Sequence, residues 1–317
     1  MSSYVHRTPC KQSDTLNKVT GQQVFMKLEN LQKTGSFKVR GAMNKVASLT
    51  ELECKRGIIA ASAGNHAQGV ALAGKKKGVD VTIFMPLSTP ETKVNATREY
   101  GAEVVLTGES FDEAYAAACK KQEETGAVFI HPFDDLKIIE GQATAALEML
   151  QQCPHLERIF VPAGGGGLLA GTALAVKALK PSVKVIGVQS ASAPAIAASF
   201  FGQASSEVPF LPTIAEGIKV KSPGKLTTSI INKYVDDMVT VTEGEIAKAI
   251  LFMLEREKMM VEGAGAAGIA ALLSNTLAPF SGQTGVIVSG GNFDAAKLGK
   301  CIELAGEVKE PKRKLII

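Results

Sequence analysis

No run of apolar residues in the 317-residue chain is long and pure enough to cross a bilayer; the best stretch, 168–179, is too short and follows glycines. The first residues, Met1 to Arg7, lack the apolar core of a secretory signal, so a soluble protein of the cytoplasm is expected. Cysteine points the same way. The five cysteines (Cys10, Cys54, Cys119, Cys153, Cys301) are scattered singly and odd in number, with neither a disulfide framework nor metal-ligand spacing, which suits a reducing compartment. The histidines His6, His66, His131 and His155 form no ligand cluster, and no metal is expected. Charge of one sign is also scarce: the net charge is +4, and only Lys75-Lys76-Lys77 and the tail from Lys309 to Lys314 are densely basic. Both read as solvated surface, and without a basic face or a reading module no nucleic-acid partner is expected. There is no internal repeat and no low-complexity segment, although 190–206 is rich in small residues and reads as loop-like.

What is present is an ordinary globular composition, 45% hydrophobic and 21% charged, in a chain long enough for one or two domains with a sizeable core. Short β-branched runs alternate with longer alanine-rich amphipathic stretches. Strands are predicted at 24–28, 58–62, 81–85, 103–106, 128–130, 158–162, 183–189, 238–241 and 285–289. Helices are predicted at 37–48, 66–74, 89–100, 111–125, 138–150, 167–179, 243–257 and 264–273. Ser110-Phe111-Asp112-Glu113 and Thr242-Glu243-Gly244-Glu245 read as capping boxes. Such alternation argues for parallel sheets wrapped by helices, in two series: one compact run from Gly57 to about Asp134, and a second after Glu157.

Ligands in such sheets bind beyond the carboxyl ends of the strands, and three chemically legible segments fall there. Gly164-Gly165-Gly166-Gly167 follows an apolar strand and opens a helix; glycines let backbone amides converge and the helix start adds positive partial charge, so this reads as a phosphate cradle rather than a tight turn alone. It is neither a G-x-G-x-x-G nor a lysine-bearing phosphate loop, which speaks against dinucleotides and nucleoside triphosphates. Ser62-Ala63-Gly64-Asn65-His66 and Ser289-Gly290-Gly291-Asn292 are polar turns after two other strands. Lys38, beside Phe37 and Arg40, has two readings from its neighbours alone: a surface lysine at a helix start, or an amine whose charge is disfavoured and which is therefore nucleophilic. His66 likewise reads as a hydrogen-bonded structural residue or as a substrate contact.

Together and in this order, from Thr8-Pro9 to about Asp294, these segments resemble the fold-type-II pyridoxal-phosphate (PLP) enzymes, specifically the threonine/serine dehydratase family that also contains serine racemase. The resemblance implies an α/β fold of two parallel-sheet-containing domains, the tryptophan synthase β-like architecture, with residues 1–56 and 135–317 as the large PLP-binding domain and 57–134 as a small mobile domain. It implies that Lys38 is the catalytic Schiff-base lysine and that Phe37 packs on the cofactor ring. Asn65 would bond its 3′-oxygen, Gly164, Gly165, Gly166, Gly167 and Leu168 would hold its phosphate, and Ser289 would face the pyridine nitrogen. Gly217 and Glu262 would line its edge, while Ser62, Ala63, Asn65 and His66 would receive the substrate carboxylate.

The implied reaction is β-elimination from an amino acid, L-threonine giving 2-oxobutanoate and ammonia, with L-serine giving pyruvate as a second substrate. Serine racemases carry a serine where this chain has Ala63, and carboxylates for a divalent metal near Gln189 and Ala195, so racemisation and that metal are not expected here. The chain stops after Ile317, without room for the regulatory domain of the long biosynthetic relatives, which suggests a short catabolic type. A homodimer or homotetramer is the implied assembly. The rival readings are a serine racemase, a hydroxyaspartate dehydratase, and a non-catalytic protein that binds PLP or an amino acid.

Overall fold

A computed structural model describes residues 4–204, 208–274, 277–278 and 280–307; the basic tail from Lys309 to Lys314, and Ser205 and Ser206 at the end of the 190–206 stretch, lie outside the described residues. In chain order the strands are β1 (Cys10–Gln12), β2 (Gln23–Leu28), β3 (Ile58–Ala61), β4 (Val81–Met85), β5 (Glu103–Leu106), β6 (Val128–Phe129), β7 (Arg158–Pro162), β8 (Lys184–Ser190), β9 (Asp237–Val241) and β10 (Gln283–Val288). The helices of the first half are α1 (Asp14–Thr20), α2 (Lys38–Ala47), α3 (Glu51–Arg56), α4 (Asn65–Lys77), α5 (Glu91–Glu99), α6 (Phe111–Thr125) and α7 (Leu136–Gln152). Those of the second are α8 (Gly167–Leu179), α9 (Ala195–Phe200), α10 (Lys225–Tyr234), α11 (Glu243–Glu255), α12 (Gly263–Leu273) and α13 (Leu298–Glu307).

Two sheets form. The larger runs β1-β2-β10-β7-β8-β9 and the smaller β5-β4-β3-β6. Every pairing is parallel except that of β1 with β2, an antiparallel edge in which Cys10 stands opposite Lys27. The chain therefore starts the large sheet, leaves it to build the small one, and returns to complete it.

Both sheets are buried on both faces, as the period-2 geometry of their strands shows. In β7, Phe160 joins one apolar cluster with Val188, Val286 and Ile269, while its neighbours Ile159 and Val161 join the other with Leu169 and Ile139. In β3, Ile58 and Ala60 face α4, and Ile59 and Ala61 face the cluster of Phe84 and Ala118. Helices α8 and α12 are apolar around nearly their whole circumference because they pack inside these layers.

The predicted strands and long helices form within two or three residues of their expected ends. Both expected capping boxes are made, by Ser110 with Glu113 and by Thr242 with Glu245, and a third, Thr50 with Glu53, starts α3. The stretch 190–206, expected to be loop-like, instead ends β8 and carries α9, whose Ala195, Ile196, Ala197 and Ala198 are buried. In α9 the small residues mark close packing, while 191–194 and 201–204 are turn or irregular as expected. Strand β1 and helices α1, α3, α10 and α13 also go beyond the sequence reading; α3 buries no residue, while α1 and α13 bury one each, leaving little apolar stripe to read.

Candidate active site

The residues before α2 are zipped to the turn that follows β10. Phe37 N–H donates to the Ser289 carbonyl at 3.1 Å, Gly291 N–H donates to the Gly35 carbonyl at 2.8 Å, and Ser36 bridges Gly290. Lys38 is thereby the first residue of α2, at the carboxyl end of the large sheet. Its Nζ donates to the Pro132 carbonyl at 2.8 Å and lies 5.4 Å from the centre of the Phe37 ring. Burial pulls the ammonium down to about 8, against the attraction of the Glu262 carboxylate. Half-buried and bonded to backbone, the side chain does not fit the surface lysine of the two readings.

The rear of α2 is anchored by charge. The fully buried Arg40 meets Glu29 through Nε at 2.7 Å and Nη2 at 2.8 Å, and Glu148 of α7 through Nη1 and Nη2, both at 2.8 Å. Lys27, also fully buried, adds a 2.7 Å bond to Glu148. Each charge in the group is paired, the condition under which buried ions persist.

Gly164 to Gly167 turn the chain from β7 into α8. Gly166 has φ +92°, and a Cβ there would stand 2.8 Å from Ile231 Cδ1 and 2.9 Å from Thr227 Cβ. A Cβ at Gly165 would collide with the Phe133 ring, and one at Gly164 would lie 2.9 Å from Ile218 Cα. The amides of the first turn of α8, including that of Leu168, have no intrahelical acceptor and follow a run of residues without side chains, which suits a phosphate. Thr227 Oγ1 donates to the Gly165 carbonyl at 2.7 Å, and Asp134 Oδ1 accepts from Thr227 N–H at 3.0 Å, so the cradle is bolted from α10.

Consecutive residues connect the amine to the cradle. Pro132 takes Lys38, Phe133 backs Gly165 and Gly167, and Asp134 holds Thr227. His131 shapes this turn by accepting from the N–H groups of Phe133 and Asp134 at 3.2 and 2.7 Å. None of these four residues was singled out from the sequence as part of a site, although the segment follows a strand, where such a role could have been suspected.

The third wall is the start of α4. Gly64 N–H donates to Ser62 Oγ at 3.2 Å, and Ala63 packs against the small-sheet core. Asn65 Nδ2 donates to Glu262 Oε1 at 2.8 Å, and its Oδ1 accepts from Asn292 Nδ2 at 2.7 Å. Burial pushes the Glu262 carboxyl up to about 7, with the Asn65 hydrogen bond acting against it. Gly217 stands over the same carboxylate: a Cβ there would be 3.5 Å from Glu262 Oε1. The His66 imidazole is buried, pushed down to about 3 chiefly by burial and further by the Lys38 charge. It is therefore neutral and donates from Nε2 to the Ile130 carbonyl at 2.8 Å, leaving its backbone amide as its offer to an anion.

Glycines absent from the sequence reading set the spacing. A Cβ at Gly141 of α7 would lie 2.5 Å from the Arg40 carbonyl and 2.6 Å from Gly41 Cα, and one at Gly171 of α8 would lie 2.6 Å from the Ile139 carbonyl. Helices α2, α7 and α8 thus stack backbone against backbone. A Cβ at Gly69 of α4 would lie 3.2 Å from the Lys38 carbonyl carbon, a looser but still tight approach.

Residues 1–290 match the family model described as pyridoxal-phosphate dependent enzyme. The chain is 50% identical over 316 residues to an L-threonine ammonia-lyase of Thermotoga maritima, covering 100% of this chain and 78% of that one. It is 41% identical over 302 residues to the catabolic L-threonine dehydratase of Escherichia coli K12, covering 95% and 92%. Among solved structures, the processed threonine deaminase isoform 2 of Solanum lycopersicum superposes with a TM-score of 0.90 at 36% identity, covering 96% and 84% of the two chains. Maize serine racemase superposes with a TM-score of 0.89 at 37% identity, covering 95% and 93%. A side-chain-free anion cradle, an amine with its charge disfavoured, and a flanking aromatic ring fit the phosphate, aldehyde and ring of PLP. The chain belongs to the pyridoxal-phosphate dependent enzyme family.

Proposed function

We propose that the chain is an L-threonine ammonia-lyase, converting L-threonine to 2-oxobutanoate and ammonia and acting also on L-serine to give pyruvate. The observation that carries this reading is the Lys38 amine, bonded to Pro132 beside the glycine cradle with its pKa lowered towards neutrality. PLP, when bound, supplies a conjugated sink for the electron pair left when Cα loses its proton. Gly164 to Leu168 would hold its phosphate through backbone amides, and Phe37 would flank its ring. Lys38 takes the Cα proton on its own side. Ser62 to His66, with the start of α4, receive the substrate carboxylate on N–H groups and the Ser62 hydroxyl. Asn65 has a second amide hydrogen for the ring oxygen while its first serves Glu262. Ser289 would be a neutral neighbour for the ring nitrogen, unable to stabilise a positive charge there as a carboxylate would, which would favour quick loss of the β-hydroxyl.

A racemase reading draws on the structural likeness to maize serine racemase, but Ala63 can neither give nor take a proton. Residues 57–134 form the small mobile domain in this proposal, and 1–56 with 135–317 the large one; what supports the division is the separate sheet that β3 to β6 make. A homodimer or homotetramer and a cytoplasmic setting complete the reading, the latter supported by five cysteines without a disulfide.

The test is to supply PLP-loaded protein with L-threonine and L-serine separately, follow 2-oxo acid, and analyse the chirality of recovered amino acid beside Lys38→Ala. 2-Oxobutanoate formation lost in the variant supports the proposal. D-serine without 2-oxo acid would replace it by the racemase, and binding without turnover by the non-catalytic protein.

A further inference from the structure

Cys10 and Cys153, far apart in sequence and read there as isolated, are brought together. Their sulfurs stand 2.9 Å apart, sharing a hydrogen bond, with Cys10 partly exposed on edge strand β1 and Cys153 buried at the end of α7. They continue a seam that is already tied. Arg7 Nη2 donates to Gln151 Oε1 at 3.3 Å, and Gln152 Nε2 donates to the Thr8 carbonyl at 3.0 Å. Lys27, opposite Cys10 in the sheet, donates to the Thr8 carbonyl at 2.7 Å and to Gln152 Oε1 at 2.9 Å. A disulfide needs sulfurs at about 2.0 Å, so the pair must close by about one ångström, between segments that other bonds hold side by side.

We propose that Cys10 and Cys153 form a thiol–disulfide site, at which a hydroperoxide joins them in a reversible bond that staples β1 to the end of α7. Cys10 is the sulfur that solvent reaches. It attacks one oxygen of hydrogen peroxide; the O–O bond breaks, the sulfur keeps a hydroxyl as sulfenic acid, and the other oxygen leaves as water with the thiol proton. Cys153 then attacks the Cys10 sulfur, the S–S bond forms, the S–O bond breaks, and the hydroxyl departs as a second water with the proton of Cys153. The two sulfurs lose two electrons and the peroxide gains them. Within the reduced pair the shared hydrogen bond holds the Cys153 thiol below its ordinary value and, with burial, pushes Cys10 up, so it is the adjacency of the two sulfurs and the exposure of Cys10 that set the order of attack. The site is independent of the reaction proposed above. Transient disulfides of this kind are the form that occurs in reducing compartments.

The test treats the PLP-loaded full-length protein with hydrogen peroxide, titrates thiols in denaturant, and maps peptides without reductant. Titratable thiols should fall from five to three, a cross-linked peptide pair containing Cys10 and Cys153 should appear, and dithiothreitol should reverse both. The thermal midpoint of the oxidised protein should rise and return on reduction, because the link closes a long loop in the unfolded chain. Cys10→Ser and Cys153→Ser should each abolish the cross-link, while Cys301→Ser should keep it. If Cys153→Ser does not fold, Cys10→Ser on the edge strand still decides the matter. Five thiols persisting, Cys10 oxidised to sulfinic acid without a cross-linked peptide, or the same paired loss in Cys10→Ser would overturn the proposal.

Discussion

Asn65 Nδ2 stands 2.8 Å from Glu262 Oε1 across 197 residues of sequence, joining the first turn of α4 to the residue before α12. One bond thus ties the small sheet to the large one inside the site, and it ends on a carboxyl raised to about 7.

That carboxyl makes the pH dependence of stability testable. The folded state of Glu262 binds its proton more tightly than the unfolded chain, whose carboxyl sits near 4.5. The associated stability is present below about 4.5 and is lost as pH rises through about 7. Glu262→Gln keeps an acceptor for Asn65 and removes the titration. Urea unfolding of the cofactor-free protein at pH 5 and pH 8 should show the variant losing less stability across that interval, by on the order of 2 kcal/mol. Equal slopes would refute the assignment.

Lys38 predicts how the cofactor is captured. Only a neutral amine attacks the PLP aldehyde, and burial brings Lys38 to about 8. Stopped-flow capture by stripped protein should speed up roughly fivefold to tenfold between pH 7 and pH 9 and then level off. A rate still climbing steeply at pH 10 would mark an ordinary lysine. Lys38→Ala should show no covalent capture and a fall in turnover of about 10²-fold or more.

Gly166→Ala places a Cβ at φ +92° against Ile231 and Thr227. Strain and crowding should lower stability by about 1–3 kcal/mol. PLP affinity, followed by fluorescence titration, should fall at least about tenfold as the amides turn away. Unchanged affinity would remove the cradle from the phosphate site.

Ala63→Ser puts a hydroxyl at the start of the carboxylate-binding turn. Chiral chromatography of L-serine incubated with the variant should reveal D-serine that the parent does not make, with 2-oxo acid formation retained. Absence of the D-isomer would mean that the second proton partner needs more than this hydroxyl.

Arg40→Met should cost about 3–5 kcal/mol, because Glu29, wholly buried, would lose its guanidinium partner. Adding Glu29→Gln should recover part of the loss in thermal melts, and no recovery would place the cost in packing rather than charge.

The glycine run, the polar turns and Lys38 stood out in the sequence because their pattern is local: a strand, a turn and a helix start within ten residues. The supports of the site were not. Pro132 acts through its carbonyl and Phe133 through a ring behind Gly165, contacts that side-chain chemistry in one dimension does not announce. Arg40 looked like a neighbour able to disfavour the charge of Lys38; it lies instead in the buried ionic group behind α2, and burial is what depresses the amine. Cys10 and Cys153 were isolated by spacing and adjacent by folding. Small residues misled at 195–200 for the same reason that Gly141 and Gly171 went unnoticed: loop and close helix packing both favour them.

The stacking of α2, α7 and α8 through those glycines makes the site a rigid gauge. The helix that presents the amine and the helix that opens the cradle are separated by one intervening helix, which meets each of them at a glycine (Gly141 and Gly171) where an added Cβ would strike backbone. Substrate preference can therefore drift through the turn at Ser62 to His66 while the reach from aldehyde to phosphate stays constant. A cofactor analogue lengthened by one methylene between ring and phosphate would find either its amine or its anion site out of register.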